Sequence, residues 1–259
     1  MNLQLENKTA LVTGSTKGIG FAIARMLATE GANVIINGRS AASAGAAAGK
    51  IGKNVRGVAA DVSTAEGCAE LVRQVPEVDI LVNNAGIFEP KPFVEIPDGD
   101  WERFYQVNVM SGVRLTRAYL PAMLRKNWGR VIFISSESGV QIPEEMIHYG
   151  MTKAAELALV NGIAQLTRST GVTVNAVLPG PTASEGVSDF VNTLATGAGQ
   201  TSAEFEKEFF RSVRPTSLLQ RFATVDEVAG MVAYLCSPVA SATNGAAVRV
   251  DGGVLRATV

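Results

Sequence analysis

Short apolar runs alternate along the chain with longer segments whose apolar residues recur at helical spacing. Strands that are buried on both faces of a parallel sheet have this near-continuous Val, Ile and Leu character, and crossover helices connect them. The pattern predicts seven strands, at residues 9–13, 33–37, 55–59, 79–82, 130–135, 173–178 and 247–250. We therefore expect one domain with a Rossmann-like, doubly wound, seven-stranded parallel sheet and helices on both of its faces.

Two segments fit this alternation less directly. Residues 41–50, AASAGAAAGK, are rich in Ala and Gly, and their position between the second and third strands favours a surface helix over a linker. Residues 179–224 contain no predicted strand, but include a Gly/Thr/Ser-rich patch and an amphipathic stretch at 203–213. The length and composition of this region predict a substrate lid at about residues 181–215.

Charge and cysteine content exclude several classes of function. The 259 residues carry a formal net charge of -1, with acidic and basic residues interspersed, so we expect no nucleic-acid partner. The N-terminal residues lack the pattern of a secretory signal, and no stretch approaches the ~20 apolar residues that span a bilayer. A soluble, cytoplasmic protein is expected. Cys68 and Cys236 lack metal-ligand spacing and are predicted to be core residues, with no metal bound.

The first strand runs directly into a glycine-rich turn. In TGSTKGIG, the glycines Gly14, Gly18 and Gly20 precede or open a helix that is expected to start near Ile19. Glycines permit a tight turn and a close approach of the backbone to a pyrophosphate, whose charge is stabilised by the N-terminus of the following helix. The strand, turn and helix together predict a dinucleotide-binding site.

Tyr149 and Lys153 are four residues apart, so on a helix their side chains share one face. A free tyrosine titrates near pH ~10, and a nearby ammonium favours the phenolate. We therefore expect Lys153 to lower the pKa of Tyr149 and to make it an effective general acid/base. Ser136 follows the fifth strand and should reach the same crevice. His148 adjoins Tyr149, but points in a different direction and is given no role.

These motifs resemble the short-chain dehydrogenase/reductase family over almost the whole chain. The residues that carry the resemblance are the turn at 13–20, NNAG at 83–86, Asn108 in VNV, Ser136 in ISS, Tyr149 and Lys153 in YGMTK, and Pro179 with Gly180. The greatest similarity is to bacterial members that resemble 3-oxoacyl-carrier-protein reductases. The resemblance implies hydride transfer between a nicotinamide cofactor and a small-molecule carbonyl or alcohol, and a homotetramer.

The resemblance also implies a role for each residue of a catalytic tetrad. Tyr149 would supply the proton, Ser136 would bind the substrate oxygen, Lys153 would also hold the nicotinamide ribose, and Asn108 would position a water. Asp61 would contact the adenine ring. The full set of expected cofactor contacts is Gly14, Ser15, Thr16, Lys17, Gly18, Ile19, Gly20, Arg39, Asp61, Val62, Asn84, Ala85, Gly86, Tyr149, Lys153, Pro179, Gly180 and Thr182.

The end of the second strand indicates which cofactor is used. Members that prefer NAD carry an acidic residue there, which binds the ribose 2′-hydroxyl. Gly38 occupies this place, Arg39 follows it, and Lys17 lies in the glycine turn. Two cations can flank a 2′-phosphate, so NADP(H) is predicted. Two alternatives stay open, namely an NAD-dependent secondary-alcohol dehydrogenase and a non-catalytic dinucleotide-binding regulator of the same fold. The substrate is not specified by the sequence.

Overall fold

Seven parallel strands form one central sheet in the computed structural model, which describes residues 2–185 and 201–258. Nine strands are present in this part of the chain: β1 (Thr9–Val12), β2 (Asn33–Gly38), β3 (Val55–Ala59), β4 (Ile80–Asn83), β5 (Gly129–Ile134), β6 (Val172–Pro179), β7 (Thr182–Ala183), β8 (Ala223–Thr224) and β9 (Ala247–Val250). The order in the sheet is β3-β2-β1-β4-β5-β6-β9, and β7 pairs separately with β8. All seven predicted strands are confirmed within one residue at either end.

Helices cover both faces of the sheet, as predicted. They are α1 (Gly18–Thr29), α2 (Ala41–Ile51), α3 (Ala65–Gln74), α4 (Asp98–Phe104), α5 (Ser111–Lys126), α6 (Ile147–Gln165), α7 (Ser202–Ser212) and α8 (Val225–Cys236). One buried core joins α1, α2 and α8 to the sheet, and a second joins α3, α5 and α6 to the opposite face. Cys68 and Cys236 are buried, one in each core, as expected.

The Ala/Gly-rich segment forms helix α2, which confirms the prediction of a helix. Ser40 caps it by accepting a hydrogen bond from the Ser43 amide at 3.2 Å. The residues that face the sheet are all alanines, Ala44, Ala47 and Ala48. A Cβ at Gly57 of β3 would overlap the backbone of Ala44. The composition therefore reflects close packing of this helix on the sheet, which only small side chains permit.

The strand order reverses between β1 and β4. Chain connections leave this point towards opposite faces, so a crevice opens beyond the carboxyl ends of the two strands, where ligands bind in such folds. The glycine turn follows β1, and NNAG begins in β4. The fold thus brings both motifs to one crevice.

The predicted lid falls only partly on described residues. Its flanks are β7 and α7, whereas residues 186–200 lie outside the part that the structure describes. The β7–β8 pair was not predicted, because two strands of two residues leave no periodic signal. No helix within residues 2–185 and 201–258 combines the length and the apolar character needed to cross a membrane.

Candidate active site

The glycine turn has the geometry that a bound pyrophosphate requires. Gly14 and Gly18 have φ of +58° and +61°, in the left-handed region that favours glycine. A Cβ at Gly20 would lie 2.7 Å from the Gly14 carbonyl oxygen, so a side chain there would close the turn. Lys17 is the N-cap of α1 but makes no side-chain capping bond. The first-turn amides and the positive end of the helix dipole therefore suit an anionic group, and the turn fits a dinucleotide.

NNAG is locked to the glycine turn by hydrogen bonds. The Thr13 hydroxyl accepts hydrogen bonds from the amides of Asn84 and Ala85, both at 3.0 Å. The Asn84 side-chain amide donates to the Thr13 and Gly14 carbonyls at 2.8 and 3.1 Å. These bonds fix the position of the backbone at Ala85 and at Gly86.

The ends of β2 and β3 lie beside the same turn. The Ser15 amide donates to the Asn37 carbonyl at 3.0 Å, and a Cβ at Gly38 would lie 2.5 Å from the Thr16 methyl. Lys17 directly follows Thr16, and Arg39 directly follows Gly38. Both of these cationic side chains are exposed. The predicted adenosine edge is therefore assembled from the turn and from β2, with two exposed cations next to it.

Asp61 and Val62 follow the neighbouring strand β3. The Ala60 amide donates to the Gly38 carbonyl at 2.9 Å, which ties the end of β3 to the end of β2. The Asp61 carboxylate accepts hydrogen bonds from the Ser63 amide at 3.0 Å and the Ser63 hydroxyl at 2.7 Å, and Val62 is buried. Both residues thus lie at the predicted edge, but Asp61 also holds the turn that leads into α3.

Asn108 lies in a π-helical segment, Tyr105–Met110, between α4 and α5. Its Oδ1 accepts a hydrogen bond from the Ile87 amide at 2.8 Å, and its Nδ2 donates to the Ile87 carbonyl at 3.0 Å and the Thr152 hydroxyl at 2.9 Å. π-Helical turns are frequent at functional sites. The side chain of Asn108 is thus an anchor that joins the chain after Gly86 to helix α6.

The Lys153 ammonium lies deep in the site, close to Asn108. A Cβ at Gly86 would lie 3.5 Å from Asn108 Oδ1 and 3.6 Å from Lys153 Nζ, so the absence of a side chain leaves room between them. Lys153 Nζ donates to the Ile134 carbonyl at 2.7 Å. It also lies 3.1 and 3.2 Å from the two carboxylate oxygens of Glu156, one turn further along α6. Glu156 is 2% exposed, so Lys153 is one half of a buried ion pair.

The prediction that Lys153 lowers the pKa of Tyr149 is wrong for this arrangement. Burial raises the pKa of the Tyr149 phenol, the Glu137 charge raises it further, and a hydrogen bond with Ser136 lowers it by less. Lys153 Nζ is 5.7 Å from the centre of the Tyr149 ring, and its charge is matched by Glu156. The phenol is therefore held in its protonated form, which suits a proton donor.

Burial also raises the pKa of Glu156, to about 7, even though Lys153 lowers it. Since this value lies above the ordinary 4.5, the folded state binds a proton that the unfolded state has released. The stability contributed by this group is thus fully present below pH ~4.5 and is lost as the pH rises through ~7.

Glu156→Gln should remove this dependence. As the pH rises from 5 to 8, we expect the wild type to lose unfolding free energy relative to the variant. Urea denaturation of both proteins at each pH measures this difference. Glu102→Gln, on the exposed side of α4, controls for the loss of a carboxylate. A difference that stays constant over this range would contradict the assignment.

A cavity of about 480 Å³ joins these elements. Three tetrad residues line it, Ser136, Tyr149 and Lys153, and Asn108 lies behind Gly86. Its wall includes the other predicted contacts Ile19, Asn84, Gly86, Pro179, Gly180 and Thr182. The remaining predicted cofactor residues, in the glycine turn, at Ala85, at Arg39 and at Asp61–Val62, lie outside this cavity along the edge described above. The cavity therefore brings three tetrad residues together with one part of the predicted cofactor contacts.

Sequence reasoning missed several residues of this cavity. They are Glu137 and Arg214, together with the aromatic side chains of Phe205, Phe209 and Phe222. Glu137 directly follows Ser136, which was a usable signal, but nothing near position 214 indicated a contact with position 137. His148 received no role, and it is buried against Phe104 with ring centres 4.0 Å apart. Within residues 2–185 and 201–258, no group of three or more His, Cys, Asp or Glu is placed to hold a metal ion.

Comparison with known proteins places the chain among similar sequences and structures. The family model for short chain dehydrogenases matches residues 8–195. The chain is 50% identical to the uncharacterized oxidoreductase YvaG of Bacillus subtilis (strain 168) over 99% of both proteins. It is 35% identical to the 3-oxoacyl-(acyl-carrier-protein) reductase FabG of Aquifex aeolicus (strain VF5), over 98% of this chain and 100% of that protein.

Among solved structures, L-sorbose reductase from Gluconobacter frateurii, complexed with NADPH and L-sorbose, matches with a TM-score of 0.93 and 31% identity. The match covers 99% of this chain and 100% of that chain. The family match spans well over half of the residues, and it agrees with the sheet order and with the positions of the glycine turn and the YGMTK motif. The chain belongs to the short-chain dehydrogenase/reductase family and is an oxidoreductase of Rossmann-like fold.

Proposed function

We propose that the protein is an NADP(H)-dependent oxidoreductase that interconverts a ketone and a secondary alcohol, with Tyr149 as the general acid/base. The observation that carries the proposal is the cavity shared by Ser136, Tyr149 and Lys153 at the carboxyl ends of the strands. It continues into a glycine turn whose φ angles and uncapped helix suit a pyrophosphate. A bound nicotinamide would supply or accept the hydride.

Each tetrad residue has a part that its contacts support. Tyr149, held protonated by burial, donates its proton to the carbonyl oxygen during reduction. Ser136 hydrogen-bonds to the same oxygen once its hydroxyl turns away from Glu137, and Lys153 binds the ribose of the nicotinamide. Asn108 fixes the backbone at Ile87 and, by its place beside Lys153, would position a water. The non-catalytic alternative is disfavoured, because a protein without turnover has no need of all four groups in one place.

NADP(H) is favoured over NAD(H) by the residues beside Gly38. β2 does not end in a residue with a carboxylate that could bind a ribose 2′-hydroxyl. The exposed cations Lys17 and Arg39 follow Thr16 and Gly38, which are close to each other at this place. The L-sorbose reductase matched above was solved with NADPH. The NAD-dependent alternative predicts that the protein binds NADH more tightly than NADPH.

Arg39→Ala should weaken NADPH binding roughly ten- to a hundredfold, because a charge-assisted hydrogen bond contributes about 1.5–3 kcal/mol. NADH affinity should change little, since NADH carries no 2′-phosphate. Titration of each reduced cofactor, followed by quenching of protein fluorescence at fixed ionic strength, measures both. Equal weakening of both cofactors would indicate general damage, and a wild type that binds NADH at least as tightly as NADPH would contradict the NADP assignment.

On grounds of charge, Gly38→Asp added to Arg39→Ala favours NADH, because the carboxylate repels a phosphate and accepts a hydrogen bond from a hydroxyl. The structure adds a condition, since the new Cβ would lie 2.5 Å from the Thr16 methyl. We therefore expect the switch to require Thr16→Ala as well. Thr16→Ala alone is the matched control and should leave the ratio of the two affinities nearly unchanged.

The experiment that tests the function is the consumption of NADPH and of NADH, followed by absorbance, with a panel of ketones and acyl-thioester mimics. The reverse reaction uses secondary alcohols with NADP or NAD. Turnover that requires Tyr149 supports the proposal. Tight cofactor binding without turnover of any compound would favour the regulator of the same fold.

The cytoplasmic location and the homotetramer stay predictions within this proposal. The second is supported by a groove lined by α6 and the π-helical segment, whose apolar rim includes Leu166 and Tyr105, 65% and 42% exposed. An apolar helix face of this kind suits contact with another copy of the chain.

A further inference from the structure

Glu137 places a buried carboxylate beside the group that is proposed to bind the substrate oxygen. It begins the short 3₁₀ turn Glu137–Gly139 after Ser136, is 5% exposed, and lines the cavity. Its Oε2 accepts a hydrogen bond from the Ser136 hydroxyl at 2.5 Å. The negative charge thus lies next to the position of the reacting oxygen.

The cation nearest to Glu137 is already paired with two carboxylates. Arg214 Nε lies 3.5 Å from Glu137 Oε1, and its Nη1 lies 3.2 Å from Glu145 Oε1. The same Nη1 donates to the Val213 carbonyl at 3.0 Å. Two carboxylates share this guanidinium through its Nε and Nη1, so the cluster of three groups has a net charge of -1.

The other charged side chain in the cavity wall does not change this balance. Lys153 is the only further cation among the described lining residues, and Glu156 pairs with it. The charged groups around the reacting position are therefore three carboxylates and two cations. The wall beyond them is apolar, with Phe88, Met146, Phe205, Phe209, Val213 and Phe222.

We propose that Glu137 is a specificity-determining residue that restricts the site to ketones and alcohols with no negative charge near the reacting carbon. This inference rests on the proposed function of the same site. When a ketone binds, the Ser136 hydroxyl turns from Glu137 Oε2 to the ketone oxygen, and an ordinary hydrogen bond there places the carboxylate of a 3-oxo acid about 5–8 Å from Glu137. At that separation like charges repel by an amount that lowers kcat/KM roughly ten- to a hundredfold.

A pair of probes that differ only in charge tests the proposal. Methyl acetoacetate is neutral and acetoacetate is an anion, and both present the same ketone. With the wild type and NADPH, kcat/KM should be at least tenfold higher for the ester. Glu137→Gln keeps the shape of the side chain and removes its charge, so the ratio of ester to acid should fall several-fold, mainly through faster use of the acid.

Glu145→Gln is the matched control, because it removes the other carboxylate that contacts Arg214 from a side chain that is 40% exposed and screened by solvent. Its ratio of ester to acid should fall by less than that of Glu137→Gln. Thermal unfolding of all three proteins checks that Glu137→Gln is folded, and Glu137→Asp, which keeps the charge, should keep the preference for the ester.

Three results would overturn the inference: acetoacetate used as well as its ester, a ratio unchanged in Glu137→Gln, or an ester that neither reacts with nor binds to the holoenzyme by calorimetry. The proposed function is assessed separately, with the wider ketone panel on the same preparations. Turnover of other ketones with NADPH in any of those cases would leave the proposed function intact.

Discussion

Tyr149→Phe is expected to lower kcat for carbonyl reduction about 10²–10⁴-fold, the usual contribution of a general acid/base. NADPH affinity should change little, because the aromatic ring and its edge-on contact with Phe88, with centroids 6.4 Å apart, are retained. Steady-state kinetics give the first quantity and fluorescence titration gives the second.

The control is Tyr234→Phe, which removes a phenol from α8, outside the cavity. It should retain the activity of the wild type. If Tyr149→Phe kept near-native turnover with any substrate of the panel, Tyr149 could not be the proton donor.

Lys153→Met is expected to abolish most turnover and also to destabilise the fold. It removes the proposed ribose contact and leaves Glu156 buried without its cation, and breaking a buried ion pair in this way costs about 3–5 kcal/mol. The destabilisation should be largest at pH 8 and much smaller at pH 5.5, because loss of the ammonium raises the pKa of Glu156 further and the carboxyl becomes neutral in mild acid.

The double variant Lys153→Met/Glu156→Gln separates the two effects. It should recover most of the stability at pH 8 and flatten its pH dependence, while the turnover stays lost. Urea denaturation at the two pH values measures the first, and NADPH oxidation measures the second. A single variant that is equally destabilised at both pH values would show that Glu156 is not the origin of the loss.

The sequence was sufficient for the features that depend on local patterns. The seven strands, the turn at Gly14–Gly20 and the shared helix of Tyr149 and Lys153 follow from periodicity, glycine spacing and the four-residue repeat of a helix. Parallel strand ends meet at one edge, so the joint location of Ser136 with the turn was also predictable.

What could not be predicted depends on burial and on contacts between distant positions. The pKa of Tyr149 is raised, because burial and the Glu137 charge outweigh the hydrogen bond with Ser136. Glu156 lies three residues after Lys153, but the spacing alone does not distinguish a buried partner from a solvated one. Arg214 meets Glu137 across 77 positions, and no local pattern encodes such a contact.

The contact between the Thr16 methyl and Gly38 bears on the order in which substitutions can accumulate. An acidic residue at position 38 is the simplest route from one dinucleotide preference to the other, but in this chain the methyl group occupies the place of its Cβ. A mutational library that varies position 38 alone should therefore return fewer proteins of altered preference than one that also varies position 16. In a lineage that keeps Thr16, an acidic residue at position 38 requires this methyl group to move, and a smaller residue at position 16 removes that requirement.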